Sequence, residues 1–366
     1  MNDEQATIQV ELASKSMIEK GAAGSEGLPD GDISMVGMDS KPRSLGSAAA
    51  LASLPIMVFV LITAHACSGS TFSVLNLDFL ARGGETAGLA GAVGDPGTAA
   101  WNPAGLAFGT GSTAFAGYMD YFVGVRGGTV GYMSMASGDY GYGIWASYLS
   151  SGSLTETGFD DPTGGSGGTF GYGELMTGLA GGTGVLPYLS FGGALKLARQ
   201  DLDDYSTSGV FGDLSVCFKA YSPDLEVSSR PAVYTSYMAR NILITRWGDD
   251  GGEAPRNSEV GVALEFPGGD LVVGLAFYFA GGGRREVRCG LEADLSPDFE
   301  LRLGYRKRTG RMSDQANELP WERGLIAGFG LGLGPVRLDY TYEDASPLDN
   351  IHRFAITSTL SGNQGN

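Results

Sequence analysis

Charge is scarce in this sequence. Asp, Glu, Lys and Arg supply 18% of its 366 residues, against about 25% in ordinary soluble domains. Cations are scarcer still: 24 Lys and Arg stand against 41 Asp and Glu, for a net charge of −17. No basic stripe exists to meet phosphates, which argues against nucleic acid as a partner. Histidine occurs twice (His65, His352) and cysteine three times (Cys67, Cys217, Cys289). Neither type shows metal-ligand spacing or a CxxC pair, so neither metal nor cofactor is expected. Cys217 and Cys289 fall on segments with opposite facing parity, which makes a disulfide between them doubtful. HExxH is absent, "GTGSTAFAG" lacks the Lys of a phosphate loop, and "GGTGVLPYLSFGG" has no strand–helix frame for a dinucleotide. The chain reads as a non-enzyme.

Long apolar runs are missing too. The densest, Leu54 to Ile62, is shorter than the roughly 20 residues that a spanning helix needs. Lys41 and Arg43 precede it, and Ala64-His65-Ala66 follows as an A-x-A cleavage signal before Cys67. Residues 35–66 therefore read as a secretory signal peptide, with a short anchor helix as the alternative. Ala64 stands where a lipoprotein signal needs a Leu-like residue, so lipidation of Cys67 is not expected. Residues 1–34 are acidic and glycine-rich, and read as a disordered extension or a start-site artefact ahead of Met35 or Met38.

Glycine (60 residues) and aromatics (10%) are what the chain has in quantity. From Ser112 onward, segments of about ten alternating residues are separated by Gly, Pro, Asp and Asn. In "PVRLDYTYE", Val336, Leu338, Tyr340 and Tyr342 share one face, and Arg337, Asp339, Thr341 and Glu343 the other. Fourteen such segments can be counted over residues 112–360, the fourth and seventh weak: one has a helical look and the other carries Pro231. Their length suits tilted spanning strands, and the polar face suits a wet or plugged lumen. The expected fold is all-β: a transmembrane antiparallel β-barrel of 14 strands. A soluble sandwich would share the alternation, with its greasy face buried. Connections such as Val123-Gly124, Gly268 and Gly334 are tight, whereas 151–170, 242–255 and 309–321 are long. Glu292, Asp294, Glu300, Arg302, Arg288 and Arg306 are expected to interlock as cross-strand ion pairs. The inward positions read as Arg, Asp, Glu, Lys, Ser and Gly, which disfavours a greasy tunnel. Leu77, Phe79, Leu80, Leu89 and Phe108 remain candidates to line a pocket.

Ahead of the first strand, within residues 67–111, lies "GDPGTAAWNPAGLAFGTG". Pro103 fixes φ and disfavours helix at Asn102. Asn102 is a turn former, Gly105 admits conformations closed to other residues, and Trp101 and Leu106 offer apolar anchors. Trp101, Asn102, Pro103, Ala104 and Gly105 thus read as a rigid turn that seats a plug on a barrel wall.

The order "ARGGETAGLAGAVGDPGTAAWNPAGLA" resembles the N-terminal segment of the PorV/PorQ family of outer-membrane proteins, relatives of the FadL-type hydrophobic-compound transporters. The closing "GFGLGLGPVRLDYTYEDASPLDNIHRFAIT" resembles that family's last hairpin and terminal strand. The resemblance implies a 14-strand outer-membrane barrel with an N-terminal plug or hatch holding Asn102, Pro103 and Ala104. It also implies one of two roles: an accessory or scaffold in protein export, partnered by secretion-apparatus proteins, or FadL-like transport of hydrophobic small molecules. Outer-membrane lipid is a partner in either case. One departure is the close at Leu360 followed by the tail 361–366, where outer-membrane barrels often end on an aromatic residue.

Overall fold

The structure, a computed structural model, describes residues 72–82, 97–136, 139–157, 167–220, 231–248, 255–280, 285–309, 324–344 and 350–361. The expected extension, the signal peptide, Leu89 and residues 362–366 of the tail lie outside these residues.

Fourteen strands follow in order: β1 Gly111–Asp120, β2 Arg126–Ala136, β3 Tyr140–Thr155, β4 Thr169–Leu186, β5 Leu189–Leu202, β6 Tyr205–Ala220, β7 Ala232–Gly248, β8 Asn257–Glu265, β9 Leu271–Ala280, β10 Arg285–Ser296, β11 Phe299–Thr309, β12 Leu325–Leu333, β13 Val336–Asp344 and β14 Asn350–Ser361. Each pairs antiparallel with its sequence neighbours, and β1 pairs with β14 to close a barrel. Closure leaves no unpaired edge along the ring. Each expected segment is a strand. The two weak ones are among the longest, β4 with 18 residues and β7 with 17. Pro231 sits just before β7, where its missing N–H costs no ladder bond.

The outward face is greasy, as the alternation requires. Ile144, Leu179, Leu195, Leu197, Leu214 and Phe354 all stand exposed on it. Tyr140, Tyr142 and Tyr188 lie toward one end of the wall, and Tyr118, Tyr148, Tyr205 and Trp247 toward the other. Such belts suit the two interfaces of a bilayer. His352 belongs to the outer face, where Tyr340 Oη lies 2.8 Å from its Nδ1 and Phe354 packs on Tyr340.

The ends of the barrel differ. Residues 187–188, 297–298 and 334–335 make tight turns at one end, while 156–168, 249–256 and 310–324 join strands at the other. Strand parity puts Val123-Gly124 at the long-loop end, not among the short turns with which the sequence grouped it. The segments read as loops at 151–170 and 242–255 are partly strand. β3 runs to Thr155 and β7 to Gly248, so β3–β7 outreach their neighbours at that end. A bulge interrupts the β6–β7 ladder, where Asn241 takes φ 55° and donates its backbone N–H to Asp213 Oδ1 at 2.8 Å.

The lumen is divided, which corrects the expectation of a uniformly polar interior. Phe115, Met119, Met133, Trp145, Leu149, Met176 and Phe211 point inward from β1–β6 and form one buried apolar cluster. Glu174, Lys196 and Asp213 are charged exceptions on that side. From β7 to β14 the inward face is dominated by charges of both signs, including Glu259, Glu286, Glu300, Arg302, Asp339, Glu343 and Arg353. Cys217 faces this interior and Cys289 faces out; both are free thiols, in keeping with their opposite parity.

Candidate functional site

Two N-terminal pieces, 72–82 and 97–110, pack against the inward side chains. In the second, one helical turn (Thr98–Trp101) runs into a 3-10 turn (Pro103–Ala107). Pro103 opens the 3-10 turn, where its missing donor is harmless. Ser215 Oγ accepts from Ala104 N at 2.8 Å, and Ser190 Oγ donates to Ala104 O at 2.8 Å. The wall is cleared for this contact by glycine. A Cβ on Gly182 would stand 2.1 Å from Pro103 O, and one on Gly192 would stand 2.2 Å from Ala104 N. The Arg240 guanidinium lies 4.1 Å from the Trp101 ring centroid, a cation–π contact across the end of the motif.

The structure thus brings the five motif residues together against β4–β7, with two differences from the sequence reading. Asn102 makes no side-chain cap on the turn it precedes. Gly105 is not among the glycines with positive φ; what it supplies is space, since a Cβ there would meet Thr98 Cγ2 at 2.9 Å.

Residues 72–82 run from the β4–β7 side of the wall to the β10–β14 side. At one end the Glu174 carboxylate accepts from Ser73 N at 2.8 Å and from Val74 N. Phe72 packs edge-on against Phe211, with centroids 5.3 Å apart. Midway, Asn76 Oδ1 accepts from Asn241 and Asn257 Nδ2, each at 2.8 Å. At the far end Arg353 Nε donates to Asp78 O at 2.9 Å, Thr341 donates to Ala81 O, and Arg82 pairs with Glu292 and Glu300. The apolar side chains of this strap (Phe72, Val74, Leu75, Phe79 and Leu80) join the β1–β6 cluster. Its two faces match the two halves of the lumen. Leu77, Phe79 and Leu80 line a small cavity, as the sequence allowed, and Phe108 packs on a second cluster around Ala104 and Tyr234.

The ion pairs differ in wiring from the expected hairpin interlock. Among directly opposite partners on β10 and β11, Glu292 faces Arg302 as expected, but Arg288 faces Arg306 and Asp294 faces Glu300, which are like-charged. Relief comes partly across the hairpin, where Arg306 Nε stands 3.1 Å from Glu286, and partly from beyond the neighbouring strand. Arg337 reaches Glu300 at 2.5 Å, Arg302 reaches Asp339 at 2.8 Å, and Arg306 reaches Glu343 at 2.7 Å. These contacts join β11 to β13 across β12, whose inward positions Gly328, Gly330 and Gly332 leave the way open. A Cβ on Gly330 would meet Arg337 Nη2 at 2.1 Å. The periodicity of β12 alone carried this signal: inward glycine at every second position. Among the described residues no cluster of His, Cys, Asp and Glu has metal-binding geometry.

No known family pattern matches the sequence, and no curated protein does. Solved structures do. The toluene transporter TodX of Pseudomonas putida superposes with a TM-score of 0.52 at 11% identity, covering 80% of this chain and 99% of that one. The Ralstonia pickettii toluene transporter TbuX gives 0.52 at 11%, covering 80% and 100%. The monoaromatic hydrocarbon channel CymD gives 0.54 at 11%, covering 79% and 99%. At such identity the likeness shows a shared fold: the chain is a closed 14-strand antiparallel barrel of this kind.

Proposed function

We propose that the chain is a non-enzymatic outer-membrane channel for hydrophobic small molecules, with residues 67–111 acting as its hatch. One observation carries the reading: the half of the lumen from β1 to β6, apart from Glu174, Lys196 and Asp213, holds a buried apolar cluster that is packed by the apolar face of the strap. A pore for ions or sugars has no use for Phe115, Trp145, Leu149 and Met176 turned inward. An apolar solute gains by burial against them, at about 25 cal/mol per Å². The greasy outer wall with aromatics toward both ends supports an outer-membrane location. The similar barrels TodX, TbuX and CymD are described as hydrocarbon transporters or channels, which supports the same reading over the export-accessory role drawn from the PorV/PorQ resemblance.

The test is uptake across an intact lipopolysaccharide leaflet, because toluene crosses plain phospholipid unaided. The chain is expressed in a Gram-negative host stripped of its own hydrocarbon channels, and an intracellular reporter follows toluene entry. Faster entry than in the empty-vector strain is expected. Unchanged entry, together with stoichiometric copurification of secretion-apparatus subunits from the native membrane, would favour the export role instead.

A further inference from the structure

The strap carries a side chain that is chemically a tethered toluene. Phe79 is 3% exposed and lies on inward glycines of β1 and β2. A Cβ on Gly127 would fall 2.4 Å from Phe79 Cε1 and 3.0 Å from Cδ1, while one on Gly117 would meet Phe79 O at 2.5 Å and Leu80 Cδ2 at 3.0 Å. Gly127 pairs across the ladders with Met119 on β1 and Leu149 on β3, and both face inward and are buried. These residues form a seat of one-ring size. Tyr121, Phe122 and Val125, in the β1–β2 connection at the long-loop end, pack on the same cluster.

We propose that this seat is a binding site for a single-ring apolar molecule, and that Phe79 fills it as an internal stand-in which the solute displaces. The inference rests on the channel reading for its solute class. The strap backbone is held on both sides of Phe79 by polar contacts, from Arg353 to Asp78 O and from Thr341 to Ala81 O. An apolar molecule offers nothing to replace those bonds. It does replace the burial of a phenyl ring, ring for ring. Exchange therefore needs a rotation of one side chain and leaves the strap in place. A cavity of about 40 Å³ beside Phe79, lined in part by Phe115, Trp145 and Met176, gives the displaced ring a place to begin turning. Met176 is flexible enough to yield.

The experiment uses the full chain in lipid nanodiscs, with 4-fluorophenylalanine at position 79 or, as a control, at the lipid-facing Phe354. Toluene is titrated in and the fluorine spectrum is read. A saturable change at 79 with none at 354 is expected. Phe79→Ala removes the internal competitor, so the apparent toluene affinity, read by calorimetry, rises about tenfold or more. Phe79→Leu keeps an apolar side chain in the seat, leaves the wall glycines untouched and gains much less. Toluene uptake in cells without any response at position 79 would overturn the site while leaving the channel reading standing. A saturable response at 79 without uptake would keep the site and remove the channel. Equal affinity in Phe79→Ala and Phe79→Leu would overturn the site as well.

Discussion

Arg302 has no exposed surface, and its guanidinium joins Glu300 at 3.2 Å and Asp339 at 2.8 Å. Arg337 also reaches Glu300 at 2.5 Å and Asp339 at 3.0 Å, so loss of Arg302 leaves both carboxylates with fewer partners, at a cost of about 1–3 kcal/mol. Arg302→Met is expected to destabilise the barrel by that order in urea titrations from vesicles. The double variant Arg302→Met/Asp339→Leu should recover most of the loss. A single variant as mild as an exposed substitution would show that the pairs hold nothing together. The hatch motif gives a second residue-scale expectation. Asn102→Ala or Pro103→Ala should loosen the seat on β4–β6 and raise small-solute leakage from proteoliposomes. Unchanged leakage together with unchanged barrel stability would count against the hatch role. Here the sequence was legible in part. Pro103 announced a turn, but the need for Gly105 came from Thr98 pressing on it, a contact that local propensity does not reveal.

Among the elements, β12 shows how a strand can matter through what it lacks. Its inward glycines let β11 and β13 exchange charges over its back. Gly330→Val would place a side chain in the path of Arg337 and strand Glu300 and Asp339 with fewer partners. Its thermal midpoint in the gel-shift assay should fall well below that of Gly181→Val, an exposed strand position where a Cβ would meet nothing closer than Gly141 O at 3.9 Å. The strands themselves were the most legible feature, because period-two alternation is imposed by backbone geometry and survives any loop variation. Their ends were not. Ser151–Thr155 and Ile242–Gly248 lie within β3 and β7; the first is mostly polar and exposed, and the second follows the bulge at Asn241, which breaks the alternation. The apolar inner face of β1–β3 was hidden for the opposite reason. In "GTVGYMSMA" both faces are apolar, and parity alone cannot say that Met133 and Met135 turn inward while Val130 turns out.

At the scale of the whole molecule, a closed ring of antiparallel strands with a greasy exterior should behave as a membrane barrel. Fractionation of a native or heterologous host is expected to place the chain in the outer membrane, with mobility on a gel that changes on boiling. Recovery in the soluble periplasm would reject the membrane reading altogether. The division of the lumen could not be read one strand at a time, since it appears when inward faces are compared around the ring.

The unequal strands have a consequence for orientation. β3–β7 run 14 to 18 residues, whereas β8–β14 run 9 to 12. The strand ladder is therefore higher on one side of the ring than on the other, with a high side and a low one. Rotating the barrel in the plane of the membrane changes what faces a neighbour: the molecule has a front and a back. The β1–β2 hairpin sits where the low side begins, next to the inward glycines on which Phe79 lies.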